Sequence, residues 1–346
     1  MATKGIYIYG IVPNFYSTDM FRSLENSGVY AITFQNISAI VSDRNSTHLD
    51  YLDRESLGYL LVHHQKTIED LMGKGFAMLI PMRLGTIVSS KEEVFKILAN
   101  GYDLIIDTLK KIEHLTEIDL AVTWADFPGT LKEIAGHPDI IAIKDDILKK
   151  ADTLLKIDQV KVGMLVQAKL KEKNTKVELN ILDSLSPISL DIKTHEVMND
   201  EMVTNSAFLI NRNNKEKFEQ VMDQLDEEYK GLLNFKLVGP LPCYSFYTIE
   251  VKDLNSEQVE QARKELGLRE ETSESEIKKA YLEKAKLFHP DAHPDNGDEE
   301  NFNRINKAYN TLLDYSVSAR QSSKDDLISL AKEKVIENLI LVKIKE

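Results

Sequence analysis

A proline that directly follows an amphipathic stripe constrains the fold of this chain more than any other feature. Apolar side chains recur at steps of four, four and three residues, which places them on one face of an α-helix: Ile277, Tyr281, Ala285 and Phe288. Pro290 moves the preceding residue out of the α region, so this helix must end at His289. A second stripe follows: Phe302, Ile305, Ala308, Tyr309 and Leu312. The pattern predicts a helical hairpin with residues 289–291 at its tip.

The first helix of this hairpin has a predicted start and a charged outer face. Ser273 and Glu276 have the spacing of a capping box, in which each side chain satisfies a backbone amide of the other residue. Three lysines lie off the apolar stripe: Lys278, Lys279 and Lys286. The outer face is therefore predicted to be basic, and a basic face steers toward an acidic partner surface.

Three stretches of the hairpin resemble a DnaJ-type J-domain. They are residues 276–281 (Glu-Ile-Lys-Lys-Ala-Tyr), 288–291 (Phe-His-Pro-Asp) and 302–309 (Phe-Asn-Arg-Ile-Asn-Lys-Ala-Tyr). Residues 265–268 are similar to the family's first short helix and its end. The resemblance implies an all-α helical unit over residues 255–316.

The resemblance also implies a docking site for a DnaK-type chaperone, whose ATPase the family stimulates. The implied site residues are His289, Pro290, Asp291, Lys278, Lys279 and Lys286. A carboxylate such as Asp291, held at a rigid loop tip, can reach a cationic group of the partner. The alternative interpretation of residues 289–291 is a plain helix-stopping turn. The same tripeptide recurs at residues 137–139 and 293–295 outside this helix–loop context, and there we interpret it as a turn.

Length and composition limit the function classes. The chain has 346 residues and is 42% hydrophobic, enough for two or three domains with their own cores. The formal net charge of −13 argues against non-specific nucleic-acid binding, which needs a basic surface. A single cysteine, Cys243, excludes an internal disulfide and suits a reducing cytoplasm. No apolar run approaches the length of a transmembrane helix, so we expect an intracellular protein.

Hydrophobic periodicity ahead of the hairpin predicts an α+β fold with mostly antiparallel sheets. We expect one helix over residues 91–113 and a half-buried strand over residues 188–192. An aromatic strand is expected over residues 244–251. The order β–α–β–β–α–β in the second half resembles a ferredoxin-like sandwich. The expected modules are residues 1–117 and 118–254.

The end of the chain carries an apolar run that must be buried. Residues 316–326 are polar and are predicted to be a linker, and residues 325–338 are predicted to form a short helix. The run at residues 339–344 risks edge aggregation unless it pairs, so we expect residues 325–346 to dock on a sheet upstream. The J-like unit would then be an insertion.

The modules resemble the gas vesicle protein GvpF/GvpL family over roughly the first 250 residues. The stretches that carry the resemblance are residues 7–12, 39–42, 63–64, 81–86, 207–212 and 239–246. Leu84 stands where an aromatic residue is common, and Cys243 where a second proline often lies. The resemblance implies two α+β modules and a non-enzymatic role in assembling gas vesicles. It also implies contacts with the small hydrophobic shell subunit and with other gas vesicle proteins.

Seven residues mark the motifs of these modules: Arg83, Gly85, Thr86, Gly239, Pro240, Tyr244 and Phe246. Arg83 is expected to pair with a carboxylate of the fold or to present a binding fork to a partner. Gly85 is expected to supply a backbone conformation that other residues avoid. His64 is expected to be a hydrogen-bonded core histidine, and the aromatic residues after Cys243 are expected to belong to the core.

Three functions from different classes follow. The first is a gas vesicle assembly protein that binds the shell subunit and recruits a DnaK-type chaperone through the J-like unit. The second is a minor structural component of the shell, in which the J-like unit is a packing surface. An enzyme is the third and is disfavoured, because Gly73-Lys74-Gly75 lacks the spacing of a nucleotide-binding loop and no metal-ligand cluster appears. We expect no cofactor and no metal, and a cytoplasmic location associated with gas vesicles.

Overall fold

The chain forms two compact units. The computed structural model describes residues 4–25, 28–45, 53–150, 156–288, 299–322, 327–331 and 339–345. Unit 1 combines residues up to 65 with residues 82–106 and 249–345, and unit 2 combines residues 66–81 with residues 107–248. The linear domain boundaries expected from the sequence stay a prediction.

Helices and strands alternate along the described residues. The first third of the chain contains β1 (Lys4–Pro13), α1 (Thr18–Glu25), β2 (Val29–Phe34), β3 (Ile37–Asn45), α2 (Arg54–Gly73), β4 (Ile80–Pro81), β5 (Ile87–Val88), α3 (Lys91–Asn100) and α4 (Tyr102–Ile112). The middle contains β6 (Leu115–Trp124), α5 (Phe127–Ala135), α6 (Pro138–Lys150), α7 (Lys156–Leu185), β7 (Asp191–Thr194), β8 (Met202–Asn211), α8 (Lys215–Glu228) and β9 (Leu233–Leu241). The last part contains β10 (Thr248–Leu254), α9 (Ser256–Leu266), β11 (Glu271–Ser273), α10 (Glu274–Phe288), α11 (Glu299–Ser322), β12 (Leu327–Ser329) and β13 (Leu339–Lys345).

The first sheet lies in unit 1 and is built around β1. This strand pairs with β3 and β5, and β3 also pairs with β2, all antiparallel. Its residues Tyr7, Ile8 and Tyr9 are fully buried, because a central strand that is covered on both faces cannot alternate with polar residues. Helix α3 packs on β2 and β3.

Unit 2 contains a four-stranded antiparallel sheet in the order β7-β8-β6-β9. Helices α7 and α8 cover one face, where Phe208, Phe218 and Ile181 are fully buried in the core. The chain order β–α–β–β–α–β with the middle strand pair β8-β6 is that of a ferredoxin-like sandwich. The chain is therefore α+β, as the sequence predicts.

The J-like helices α9, α10 and α11 lie in unit 1 and share one apolar core. Ile277, Ile305, Leu312 and Leu266 are buried at its centre. Two small sheets adjoin the helices: β11 pairs antiparallel with β12, and β10 pairs with β13. The segments that follow α11 thus return to strands that precede α10.

Two of the expected elements differ from those in the structure: one expected helix is two helices, and one expected strand begins later. The helix expected over residues 91–113 is interrupted at Gly101, which ends α3 with a φ of −93° and a ψ of 2°, and the side chain of Val342 packs beside that glycine. The strand expected over residues 244–251 begins only at Thr248, because residues 243–246 form a turn in which the Tyr247 amide donates to the Cys243 carbonyl.

Other expectations fail nearby and at the end of the chain. Residues 186–188 form a 3-10 turn, and the strand expected over residues 188–192 begins at Asp191. The linker expected from residue 316 is helical as far as Ser322, and Ser316 is buried with its hydroxyl bonded to the Leu313 carbonyl. The predicted helix at residues 325–338 is wrong at Leu327–Ser329, which form β12; residues 332–338 lie outside the described part.

Candidate functional site

The J-like helices begin and end at specific local signals. Asn255 and Gln258 form a capping box at the start of α9, and Gly267 ends that helix with a φ of +71° that favours glycine. At the start of α10, the Ser273 amide donates to the Glu276 carboxylate at 2.9 Å, and the Glu276 amide donates to the Ser273 hydroxyl at 3.3 Å. The capping box predicted from the sequence is therefore confirmed.

Helices α10 and α11 are held together by a pair of tyrosines. The rings of Tyr281 and Tyr309 stack with their centroids 4.1 Å apart and an interplanar angle of 15°. The Tyr281 hydroxyl also donates to the side chain of Asn306 at 2.8 Å. The two apolar stripes recognised in the sequence thus face each other, which turns the opposite face of α10 toward solvent.

The basic face of α10 is exposed. Lys278, Lys279 and Lys286 all have exposed side chains, whereas Lys284 donates to the Glu265 carbonyl at the end of α9. The predicted tip residues His289, Pro290 and Asp291 lie outside the described residues. The three lysines form a positive surface on the helix that leads to that tip, and their role in partner binding stays a prediction.

The motif of the first module forms a tight turn before β5. The Thr86 amide and hydroxyl both donate to the Arg83 carbonyl, at 3.1 and 2.6 Å. Gly85 has a φ of +82°, so the expectation that this position needs a glycine is confirmed. The Arg83 guanidinium pairs with the carboxylate of Glu250 on β10, which is the first of the two alternatives that the sequence left open.

A buried tyrosine forms a hydrogen bond with the backbone of this turn. The Tyr7 hydroxyl lies 2.7 Å from Nδ1 of His64 and accepts a hydrogen bond from the Gly85 amide at 3.2 Å. Burial, where the imidazolium is poorly solvated, lowers the pKa of His64 to about 4 together with the smaller effect of the His63 charge. His64 is therefore neutral at pH 7 and acts as a core residue, as the sequence predicts.

The motif of the second module closes over β6. Gly239 passes close to that strand, since a Cβ at this position would lie 3.1 Å from the Glu117 carbonyl oxygen. The Gly239–Pro240 peptide is cis, and Phe246 is buried with the ammonium of Lys193 5.4 Å from its ring centre. Cys243 is also buried, and burial raises the pKa of its thiol to about 12. This thiol is therefore protonated and poorly nucleophilic.

Comparison with known families accounts for both parts of the chain. The family model described as "Gas vesicle synthesis protein GvpL/GvpF" matches residues 5–248. The chain belongs to the GvpL/GvpF family. The DnaJ domain model matches residues 264–320, so this GvpL/GvpF protein also carries a J-domain. Both resemblances noted in the sequence are confirmed.

The match to relatives of the GvpL/GvpF part extends over almost the whole length of those relatives. Gas vesicle protein F of Nostoc sp. (strain PCC 7120) is 23% identical over 249 residues, which is 71% of this chain and 99% of the relative. The crystal structure of GvpF from Anabaena sp. PCC7120 has a TM-score of 0.57 at 22% identity and covers 70% of this chain and 97% of its own. That of GvpF from Microcystis aeruginosa has a TM-score of 0.54 at the same identity. These likenesses support the fold.

The J-domain has relatives of its own. Chaperone protein DnaJ 1 of Aquifex aeolicus is 39% identical over 64 residues, which is 18% of this chain and 17% of that protein. The similarity to DnaJ proteins is therefore confined to the J-domain.

The sequence did not identify the residues whose hydrogen bonds hold the second motif of this GvpL/GvpF chain in place. Glu117 is 1% exposed and accepts hydrogen bonds from the amide and the hydroxyl of Ser245, both at 2.8 Å. Burial, followed by the neighbouring charge of Asp119, raises the pKa of Glu117 to about 8. Glu117 and Asp119 alternate with apolar residues along β6, a pattern typical of a solvated face. The residues that cover Glu117 come about 130 positions later, so no local signal identifies them.

The described residues contain no metal cluster and no bilayer-spanning helix. No group of three or more His, Cys, Asp or Glu side chains there is arranged to hold a metal ion. No helix within that part is long and apolar enough to cross a bilayer.

Proposed function

We propose that this GvpL/GvpF protein is a non-enzymatic gas vesicle assembly factor that binds the hydrophobic shell subunit and recruits a DnaK-type chaperone to it in the cytoplasm. The observation that carries the proposal is the presence of a gas vesicle synthesis body and a J-domain in one chain. A second support is the exposed lysine face of α10, which suits an acidic chaperone surface.

Joining the two parts has a physical advantage. A strongly apolar shell subunit aggregates in water unless it is held until assembly, because exposed apolar surface associates without direction. A chaperone docked on the same chain meets such a client at a high effective concentration, so that even a weak client contact leads to transfer.

The chaperone arm is tested by measuring the ATPase rate of a DnaK-type chaperone with and without the full chain. We expect stimulation by the parent and none by Asp291→Asn, because the substitution removes the carboxylate charge of the His-Pro-Asp tripeptide to which the sequence assigns chaperone docking. Asp295→Asn is the matched control, since it makes the same change in the His-Pro-Asp tripeptide at residues 293–295, and it should stimulate like the parent. Equal stimulation by Asp291→Asn would contradict the recruiting role.

The client arm is tested separately by co-expressing the tagged chain with a gas vesicle shell subunit. We expect co-purification of the subunit with the parent and with Asp291→Asn alike, because client binding is assigned to the GvpL/GvpF body. If the protein instead remains on washed vesicles in stoichiometric amounts and stimulates no ATPase, the alternative of a minor structural component replaces the proposal.

A further inference from the structure

A carboxylate that the J-like fold does not need for its own core lies at the inner side of α11. Asp314 is 3% exposed and lies between the buried residues Leu312 and Tyr315. An ionised carboxylate in such a place is costly unless cations and hydrogen bonds compensate for the lost water. Asp314 therefore needs compensating groups from neighbouring elements.

Two lysines hold it, one from each strand of the β10–β13 pair. The Lys252 ammonium on β10 lies 2.9 Å from one carboxylate oxygen, and the Lys343 ammonium on β13 pairs with the other. The pKa of Lys343 is lowered, first by burial and then by the charge of Lys252. Two cations thus share one carboxylate, and they would repel each other without it.

The strand that carries Lys343 is also attached to the first sheet of unit 1. The Asn100 side chain at the end of α3 donates to the Ile340 carbonyl at 2.9 Å. Val342 packs into the space left by Gly101, directly after α3. Because α3 packs on β2 and β3, β13 connects α11 to the first sheet through contacts on both sides.

The charges next to this connection alternate in sign. Glu250, two residues before Lys252 on β10, pairs with Arg83 of the first motif. The charge of Glu250 also counteracts the lowering of the Lys343 pKa. Asp314 therefore completes a series of opposite charges that begins at the first motif and ends on the third helix of the J-domain.

We propose that Asp314 is a positioning residue that fixes the J-domain on the first sheet of the GvpL/GvpF body, so that the two move as one rigid part. The basic face of α10 is then presented in a single orientation instead of swinging on a linker. The rigid attachment stands on the contacts alone, and only its use in chaperone delivery rests on the proposed function.

The test measures the distance between nitroxide labels on the two connected parts of the full chain. Lys96→Cys on α3 and Asn303→Cys on α11 provide exposed label sites, while the native Cys243 is only 2% exposed and should take up little label. We expect one narrow distance distribution for the parent. Asp314→Asn should at least double its width, because the neutral amide removes the charge that pairs with both Lys252 and Lys343. Glu300→Gln is the matched control: it removes an exposed negative charge from the same helix and should leave the distribution narrow.

Lys343→Gln gives a second measurement that does not depend on Asp314→Asn folding well. This variant keeps the pair of Asp314 with Lys252 but removes the ion pair between α11 and β13, so the distribution should broaden while the far-ultraviolet circular dichroism stays unchanged. A distribution as narrow as that of the parent in both variants would overturn the inference, and so would a broad distribution in the parent.

The same samples separate this inference from the chaperone proposal. Asp291→Asn should abolish ATPase stimulation and leave the label distances unchanged. Asp314→Asn should broaden the distances whether or not a chaperone responds to the J-domain.

Discussion

At the scale of single residues, the side chain of Tyr7 contacts three parts of the first unit. It contacts His64 of α2 and the Gly85 amide of the first motif, and its ring lies 5.5 Å from the Arg44 guanidinium of β3. A hydroxyl in this position does more than fill a space in the core. It satisfies a buried imidazole and a backbone amide at once, so its loss leaves both without that partner.

Replacing Tyr7 by Phe is expected to lower the free energy of unfolding by about 1–3 kcal/mol, because buried polar groups then lose their partner. Tyr30→Phe is the matched control: its hydroxyl donates to Asp43 on an exposed side of the sheet, where water can replace it, and the loss should be below about 1 kcal/mol. Urea denaturation of both variants measures the difference. Equal losses of unfolding free energy would show that the Tyr7 hydrogen bonds stabilise the fold no more than the exposed one of Tyr30.

The buried carboxyl of Glu117 predicts a dependence of stability on pH. Its pKa rises from 4.5 to about 8 on folding, so between these values the folded state holds a proton that the unfolded state has lost. Stability therefore falls as pH rises through this window, by up to about 1.4 kcal/mol per pH unit. Burial also raises the pKa of Asp119, two residues along the same strand, so this carboxyl modifies the slope.

Glu117→Gln should remove most of this dependence, because the amide resembles the protonated acid at every pH. We expect parent and variant to melt at similar temperatures near pH 5, and the variant to melt higher at pH 8. Glu196→Gln, at an exposed position, should follow the parent. Melting curves that stay parallel for parent and Glu117→Gln across this range would contradict the assignment.

At the scale of elements, the packing of β13 beside the break between α3 and α4 depends on a missing side chain. A Cβ at residue 101 would lie 2.7 Å from Cγ1 of Val342, so Gly101→Ala should push β13 away and lower stability by about 1–3 kcal/mol. Gly163→Ala, in open space on α7, should raise stability by up to about 1 kcal/mol through helix propensity. Denaturation midpoints, together with amide exchange in β13, measure both. An unchanged exchange rate in Gly101→Ala would show that this contact does not hold the strand.

Elements with a strong local signal were predictable from sequence, and those fixed by distant contacts were not. The stripes of α10 and α11, the capping box at Ser273 and the need for glycine at residue 85 follow from local spacing and backbone preference. The contact beside Gly101 comes from Val342, more than 200 positions away, and the turn before β10 is held by Glu117. Strand β12 reads as part of a helix in isolation, because its pairing with β11 is invisible to a local pattern.

At the scale of the whole molecule, unit 1 includes β13 together with the first sheet and the J-like helices. Removing residues 339–346 should expose the apolar surfaces that β13 covers, lower the melting temperature and reduce solubility, because the edge of β10 loses its partner. Removing only residues 345–346 is the matched control and should change neither property, since Lys345 is exposed. A shortened chain without β13 that melts and dissolves like the parent would show that the strand is dispensable.

The return of β13 to β10 also sets an order of events during synthesis. A ribosome releases β10 and the J-domain helices well before residues 339–345 leave its exit tunnel. Until then, Asp314 lacks the second of its lysines and α3 lacks the strand that packs beside Gly101. The J-domain therefore gains the contacts of β13 only after residues 339–345 have left the tunnel, and a chain truncated before residue 339 lacks them.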